Sequence, residues 1–148
     1  MKIYLGTDHA GFEFKERIKE FLTSENYNIV DCGAYSFDKN DDYPDFISKV
    51  GENIAKDTDS RGIVLGKSGA GECIVANKYI GIRAFLAVNE KNVKLAREHN
   101  DANVISLGSE IVPLETAKNL IKLFLETPFS EDERHVRRIN KIREIENK

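Results

Sequence analysis

The chain has 148 residues, 41% hydrophobic and 32% charged, which suits one soluble domain, residues 1–148, able to bury a real core. Its net charge of −3 gives no global pull toward nucleic acid or an anionic membrane, and no run approaches the roughly 18 apolar residues of a membrane span. The opening MKIYLGTDHAG reaches Asp8 too early for the apolar core of a secretory signal, so a cytoplasmic location is expected, with Cys32 and Cys73 reduced and in no metal-like spacing.

Lys2–Gly6 reads as a first strand. Gly11–Ser24 places Phe14, Ile18, Phe21 and Leu22 at helical spacing. Tyr27–Asp31 reads as a second strand, followed by the polar loop SFDKNDDYP. Asp42 as cap and Pro44 near the start open a helix to about Lys56, with Phe46, Ile47, Val50 and Ile54 on one face. Gly62–Gly66 is nearly all apolar, the pattern of a parallel strand buried on both sides. A glycine-rich turn, Gly66–Gly71, leads into a helix over Glu72–Lys78. A fourth strand falls within Gly81–Val88, Asn89 caps a helix over Glu90–Glu98, and Asn103–Leu107 is the fifth strand. Pro113 opens a helix through Leu125, Pro128 breaks it, and a charged helix over about 131–147 closes the chain.

Strands alternating with helices predict an α/β fold: a three-layer, Rossmann-like sandwich with a five-stranded parallel sheet and helices on both faces. Ligands of such sheets bind beyond the carboxyl ends of the strands. On that rule the candidates are Asp8 and His9 after the first strand, Lys67–Glu72 after the third, His99 and Asn100 before the fifth, and Ser109 and Glu110 after it. All are expected at one end of the sheet.

The run GKSGAGE lacks the spacing of either a phosphate loop or a dinucleotide loop. Gly69 and Gly71 free the backbone around Ala70 to turn sharply and expose N–H groups, which makes an anion-binding nest or a plain tight turn. Glu72 in the first helical turn suits either the helix dipole or a general base beside that nest. Asp8–His9 reads as a helix cap or as site residues, and His99 as a helix-terminal histidine or a catalytic one. Arg134 and Arg138 lie four apart, on one helix face, and two guanidinium forks there suit a phosphate or a solvated surface.

These residues lie in motifs that resemble one family: Asp8-His9-Ala10-Gly11, Asp42-Tyr43-Pro44-Asp45, Gly69-Ala70-Gly71, Ala76-Asn77-Lys78, Gly81-Ile82-Arg83-Ala84, His99-Asn100-Asp101-Ala102-Asn103 and Arg134-His135. The chain resembles, over nearly its whole length, the type B ribose-5-phosphate isomerases of the sugar-phosphate isomerase family, which also holds galactose-6-phosphate isomerase subunits. The resemblance implies an aldose–ketose isomerase without metal or organic cofactor. It implies homodimers with active sites shared between subunits, the C-terminal helix packing on the partner, and a tetramer left open. Many members carry a cysteine base at the position of Gly66; others use a glutamate at the position of Glu72, and this chain matches the second kind. The implied roles are Glu72 as base, His99 in ring opening, Ser68 as proton relay and Asp8 in positioning the sugar. His9, Arg134 and Arg138 hold the phosphate, Asn100 binds a hydroxyl, and the backbone of 67 to 71 holds the enediolate.

Glu110 stands where type B members commonly carry a phosphate-binding arginine, and Lys67 stands where a small residue is common. Lys67 either offsets Glu110 or replaces the lost cation. Three functions follow in order: a ribose-5-phosphate isomerase of the pentose phosphate route, a hexose-6-phosphate isomerase of galactose or allose type, and a non-catalytic phosphosugar-binding protein. A nucleic-acid role ranks last, because Glu131, Asp132, Glu133, Glu144 and Glu146 lie among the terminal basic residues and no aromatic platform accompanies them.

Overall fold

The sheet is organised around β3 (Arg61–Gly66), buried on both faces from Gly62 onward as the run GIVLG requires. It pairs in parallel with β1 (Lys2–Thr7) on one side and β5 (Val104–Gly108) on the other. The shorter β2 (Asn28–Asp31) and β4 (Ala84–Leu86) form the margins, in the order β2-β1-β3-β5-β4. The structure is a computed structural model describing residues 1–148.

Successive strand residues point to opposite layers, so the strands feed two cores. Ile3, Leu5, Ile63, Leu65, Ile105 and Leu107 pack with Ile18 and Leu22 of α1 (Phe12–Ser24), Val93 of α4 (Glu90–Asn100) and Leu120, Ile121 and Phe124 of α5 (Leu114–Glu126). Tyr4, Val64 and Val104 pack with Ile47, Val50 and Ile54 of α2 (Tyr43–Lys56) and Ala76 of α3 (Ala70–Ala76). The expected three-layer α/β sandwich is what the chain forms. A last helix, α6 (Glu133–Glu146), lies against α4 and buries only His135 and Ile139.

Local chemistry sets the element ends. Asn89 and Asn92 cap α4 reciprocally, each side-chain oxygen accepting from the other residue's backbone N–H at 2.9 and 3.2 Å. Asp42 precedes α2 but its side chain makes no capping bond; Pro44, with its fixed φ, opens the helix instead. α3 starts at Ala70, two residues before the expected Glu72, because Gly69 at φ +81° ends the turn in the left-handed region.

The central strands end level with one another: Thr7 lies opposite Leu65, and Gly66 opposite Gly108. This is the front edge of the sheet. Lys15 of α1, fully buried, holds the chain after β2 against it. Its Nζ donates to both Asp31 oxygens at 2.7 and 2.9 Å and to the Ala34 carbonyl at 2.6 Å. Burial pushes the Asp31 carboxyl up, but Lys15, the Gly33 N–H and Lys19 outweigh it and bring it below its usual value.

Candidate active site

At the front edge the turn after β3 is pinned from below. Ser109 N–H donates to the Gly66 carbonyl at 2.8 Å and Glu110 N–H to that of Lys67 at 3.0 Å. The buried Ser106 Oγ donates to the Gly69 carbonyl at 2.6 Å. Carbonyls are thus tied inward, while the N–H groups of Lys67, Ser68, Gly69 and Gly71 donate to no acceptor in the chain. The Ala70 N–H bonds the Ser68 hydroxyl at 3.2 Å. Free donors over a fixed turn have the geometry of a nest, one of the two readings the glycine spacing left open.

Glu72 is 5% exposed and its carboxylate lies against the α-carbon of Gly66. A methyl group at position 66 would occupy the same space as the Glu72 carboxylate oxygens, so the glycine is what admits this side chain. No other residue donates a hydrogen bond to it. Burial raises the Glu72 pKa first, its own backbone N–H opposes that, and the Asp8 charge raises it further. Asp8, itself 7% exposed, follows β1 and accepts from the Ala10 N–H at 3.0 Å. The site therefore holds a buried carboxylate of raised basicity beside a set of unengaged donors. That combination suits removal of a proton next to a carbonyl and stabilisation of the resulting oxyanion.

Lys67 and Glu110 do meet, Nζ to Oε1 at 3.9 Å, at the rim of this edge with both side chains largely exposed. Charge offset at such exposure is weak.

One expectation fails. His99, Asn100, Arg134 and Arg138 do not join Glu72 at the front edge. α4 leaves the front end of β4 and returns to the start of β5, so its C-terminus lies at the opposite, rear edge. The helix also runs to Asn100 rather than Glu98, which puts His99 and Asn100 in its final turn. There the Asn100 carbonyl accepts from Arg83 Nε at 2.8 Å, just before β4. α6 joins this group: the Ser130 N–H donates to the Glu98 carbonyl at 3.2 Å, and the His135 ring stacks on His99 at 4.2 Å. Arg134 and Arg138 stand exposed beside it.

Three residues of these clusters were given no role by the sequence reading. His135 is buried, bonded through Nδ1 to Ser130 Oγ at 2.8 Å, and its pKa is lowered by burial first and then by His99. Its place three residues after the capping Asp132 was the available signal. Tyr43 opens α2 and lies over Gly71, where an added Cβ would meet its ring Cζ at 2.6 Å. Asp41 accepts from His9 Nδ1 at 2.6 Å and from the His9 N–H at 2.9 Å. Asp8, His9 and Asp41 offer ligand atoms within 4.8 Å of one another. Two of the three already satisfy each other, so the trio is an ion pair with a neighbouring carboxylate rather than an open metal cage.

No helix is long and apolar enough to cross a membrane. A family model described as Ribose/Galactose Isomerase matches residues 3–142. Ribose-5-phosphate isomerase B of Mycobacterium leprae (strain TN) is 44% identical, covering 99% of this chain and 90% of its own. The solved Clostridium thermocellum ribose-5-phosphate isomerase B superposes with a TM-score of 0.94 at 40% identity, covering 99% of this chain and 98% of that one. Its Mycoplasma genitalium counterpart, solved with bound ribulose-5-phosphate, gives 0.95 at 40% identity over 99% and 97%.

Proposed function

This chain belongs to the ribose/galactose isomerase family, and from that premise we propose that it interconverts ribose 5-phosphate and ribulose 5-phosphate with Glu72 as the base. It is an isomerase, EC 5.3.1.6. The observation that carries the catalytic reading is the buried Glu72 carboxylate, admitted by Gly66 and flanked by the free N–H groups of the turn.

The open-chain aldose lies over residues 67–71. Glu72 takes the proton from C2, and the electron pair of that bond forms the C1–C2 double bond while negative charge settles on O1. The turn's N–H groups hold that charge, each worth roughly 3 kcal/mol in the transition state. Ser68 relays the hydroxyl proton from O2 to O1. Glu72 returns its proton to C1, and O2 becomes the ketone oxygen. Asp8 orients a sugar hydroxyl. No metal or organic cofactor takes part.

The remaining groups come from a second copy of the chain. Because His99, Asn100, Arg134 and Arg138 gather at the rear edge, they serve the Glu72 of another subunit, and the enzyme is a homodimer with shared sites. Val136, Ile142 and Ile145 leave α6 with exposed apolar side chains, which supports its packing on the partner. His99 of the partner subunit assists ring opening, Asn100 of the partner subunit binds a hydroxyl, and Arg134 and Arg138 of the partner subunit hold the phosphate together with His9.

Subunit mixing tests both halves. Glu72→Gln should bind substrate yet lose about 10³-fold in kcat, the scale of a general base. His99→Ala should also be nearly inactive on the ring form. Unfolded together in equal amounts and refolded, the two variants should recover about a quarter of wild-type activity, since half the dimers carry one intact site each. Near-normal turnover by Glu72→Gln rejects the base, and absence of recovery rejects the shared site.

A hexose-6-phosphate substrate is the second reading, favoured by Glu110 at the rim. A panel of pentose and hexose phosphates separates the two.

A further inference from the structure

We propose that Asp41 is a positioning residue for this reaction: it clamps His9 and turns the free imidazole nitrogen into a standing donor for the anionic oxygens of the sugar phosphate. The proposal rests on the isomerase reading and extends it to a residue outside the catalytic set.

The clamp is built from one oxygen. Asp41 Oδ1 accepts from His9 Nδ1 at 2.6 Å and from the His9 backbone N–H at 2.9 Å. It therefore fixes the ring and the main chain of the same residue. With its proton held at Nδ1, the ring has Nε2 as its only nitrogen without a partner in the chain. Phe37 meets the ring edge-on at 6.1 Å and limits its swing.

The clamp is costly in isolation. The Asp41 side chain is nine-tenths buried, and its second oxygen, Oδ2, is buried with no donor from the chain. A carboxylate buried this far gains little for folding from one partner. The arrangement is better explained by what it does to His9. The long segment that delivers Asp41 is held at its base by the Lys15, Asp31 and Ala34 bonds, and Asp41 N–H donates to the Asp38 carbonyl at 3.1 Å.

The surroundings of the ring are anionic from every side. Asp8 comes from its own turn, Asp38 and Asp41 from the loop, and Glu13 and Glu16 from α1 line the same hollow. No lysine or arginine lines that hollow. The hydrogen bond to Asp41 raises the His9 pKa first, partial burial opposes it, and the Asp8, Asp41 and Asp38 charges raise it further. The cation survives to higher pH than a free imidazole would. As a cation the ring donates at both nitrogens, so Nε2–H meets an oxyanion instead of presenting a lone pair to it.

The test is Asp41→Asn, which keeps an acceptor oxygen and removes the charge. Histidine ring NMR on the substrate-free protein should show the His9 titration falling toward that of an unpaired imidazole. KM for ribose 5-phosphate should rise about tenfold, the scale at which a partner orienting an imidazole acts, with kcat changing less than twofold. The loss of affinity with rising pH should begin at lower pH than in wild type. Asp41→Glu, which restores the charge, should recover part of the shift, and Asp41→Asn should add nothing in a His9→Ala background. An unmoved His9 titration, or additive effects in the double variant, overturns the proposal. The NMR arm needs no substrate. A wild type inactive on every aldose phosphate would thus reject the isomerase reading, while the clamp would still stand or fall on the titration.

Discussion

The front and rear edges of the sheet are built from different materials. At the front, backbone does most of the work: the turn over residues 66–69 is held by Ser106, Ser109 and Glu110, and the carboxylate beside it, Glu72, is buried against a glycine. At the rear, long side chains on two helices do the work. Arg97 braces the end of α4 by donating to the Thr127 and Ala102 carbonyls at 2.9 and 2.6 Å, and His135 supports His99. Arg134 and Arg138 nonetheless project into solvent. On the proposed function, the contrast means a rigid chemical half, sensitive to displacements of an ångström, and a compliant binding half that follows its ligand.

That division can be broken experimentally. The largest effect should come from Gly66→Ala, whose methyl displaces the Glu72 carboxylate; kcat should fall about 100-fold, as for a misplaced reacting group, with KM nearly unchanged in steady-state kinetics. Arg138→Ala should do the reverse, raising KM about tenfold through loss of a charge-assisted phosphate contact and leaving kcat within about twofold. An equal fall in kcat for Arg138→Ala would erase the distinction between the halves. The smallest effect is a displacement of a pH profile. Burial and Asp8 raise the Glu72 pKa, so its ionised form, and with it kcat, should fade on the acid side at a higher pH than for an ordinary glutamate. Asp8→Asn should move that limb to lower pH whatever it does to the maximal rate, and a limb that stays in place would remove Asp8 from the electrostatics of the base.

Much of the fold was legible because its signals are local. The all-apolar GIVLG run marked the central strand, and Asn89 marked the start of α4. The sharp turn beside Glu72 was legible too, since glycines beside a strand end act on adjacent backbone. The placement of His99 and Asn100 was not, although topology held the clue. A helix joining two parallel strands runs back against them, so its last turn lies at the opposite edge from the strand ends that bind ligand. Asp41 was hidden for a different reason. It lies 32 residues from His9 in an acidic loop with no periodicity, and only the folded chain brings one of several neighbouring carboxylates onto the ring. Tyr43 was quoted within a motif, but its position over Gly71 depends on how α2 packs against α3.

The bare α-carbon at position 66 has a consequence for how such a catalyst changes over time. A side chain there and the carboxylate at 72 are rivals for one small volume, so the two cannot fill it together. A lineage exchanging one for the other cannot hold both in place during the transition. The order of substitutions is constrained, and ancestral reconstructions should find the vacated glycine arriving before, or together with, the glutamate.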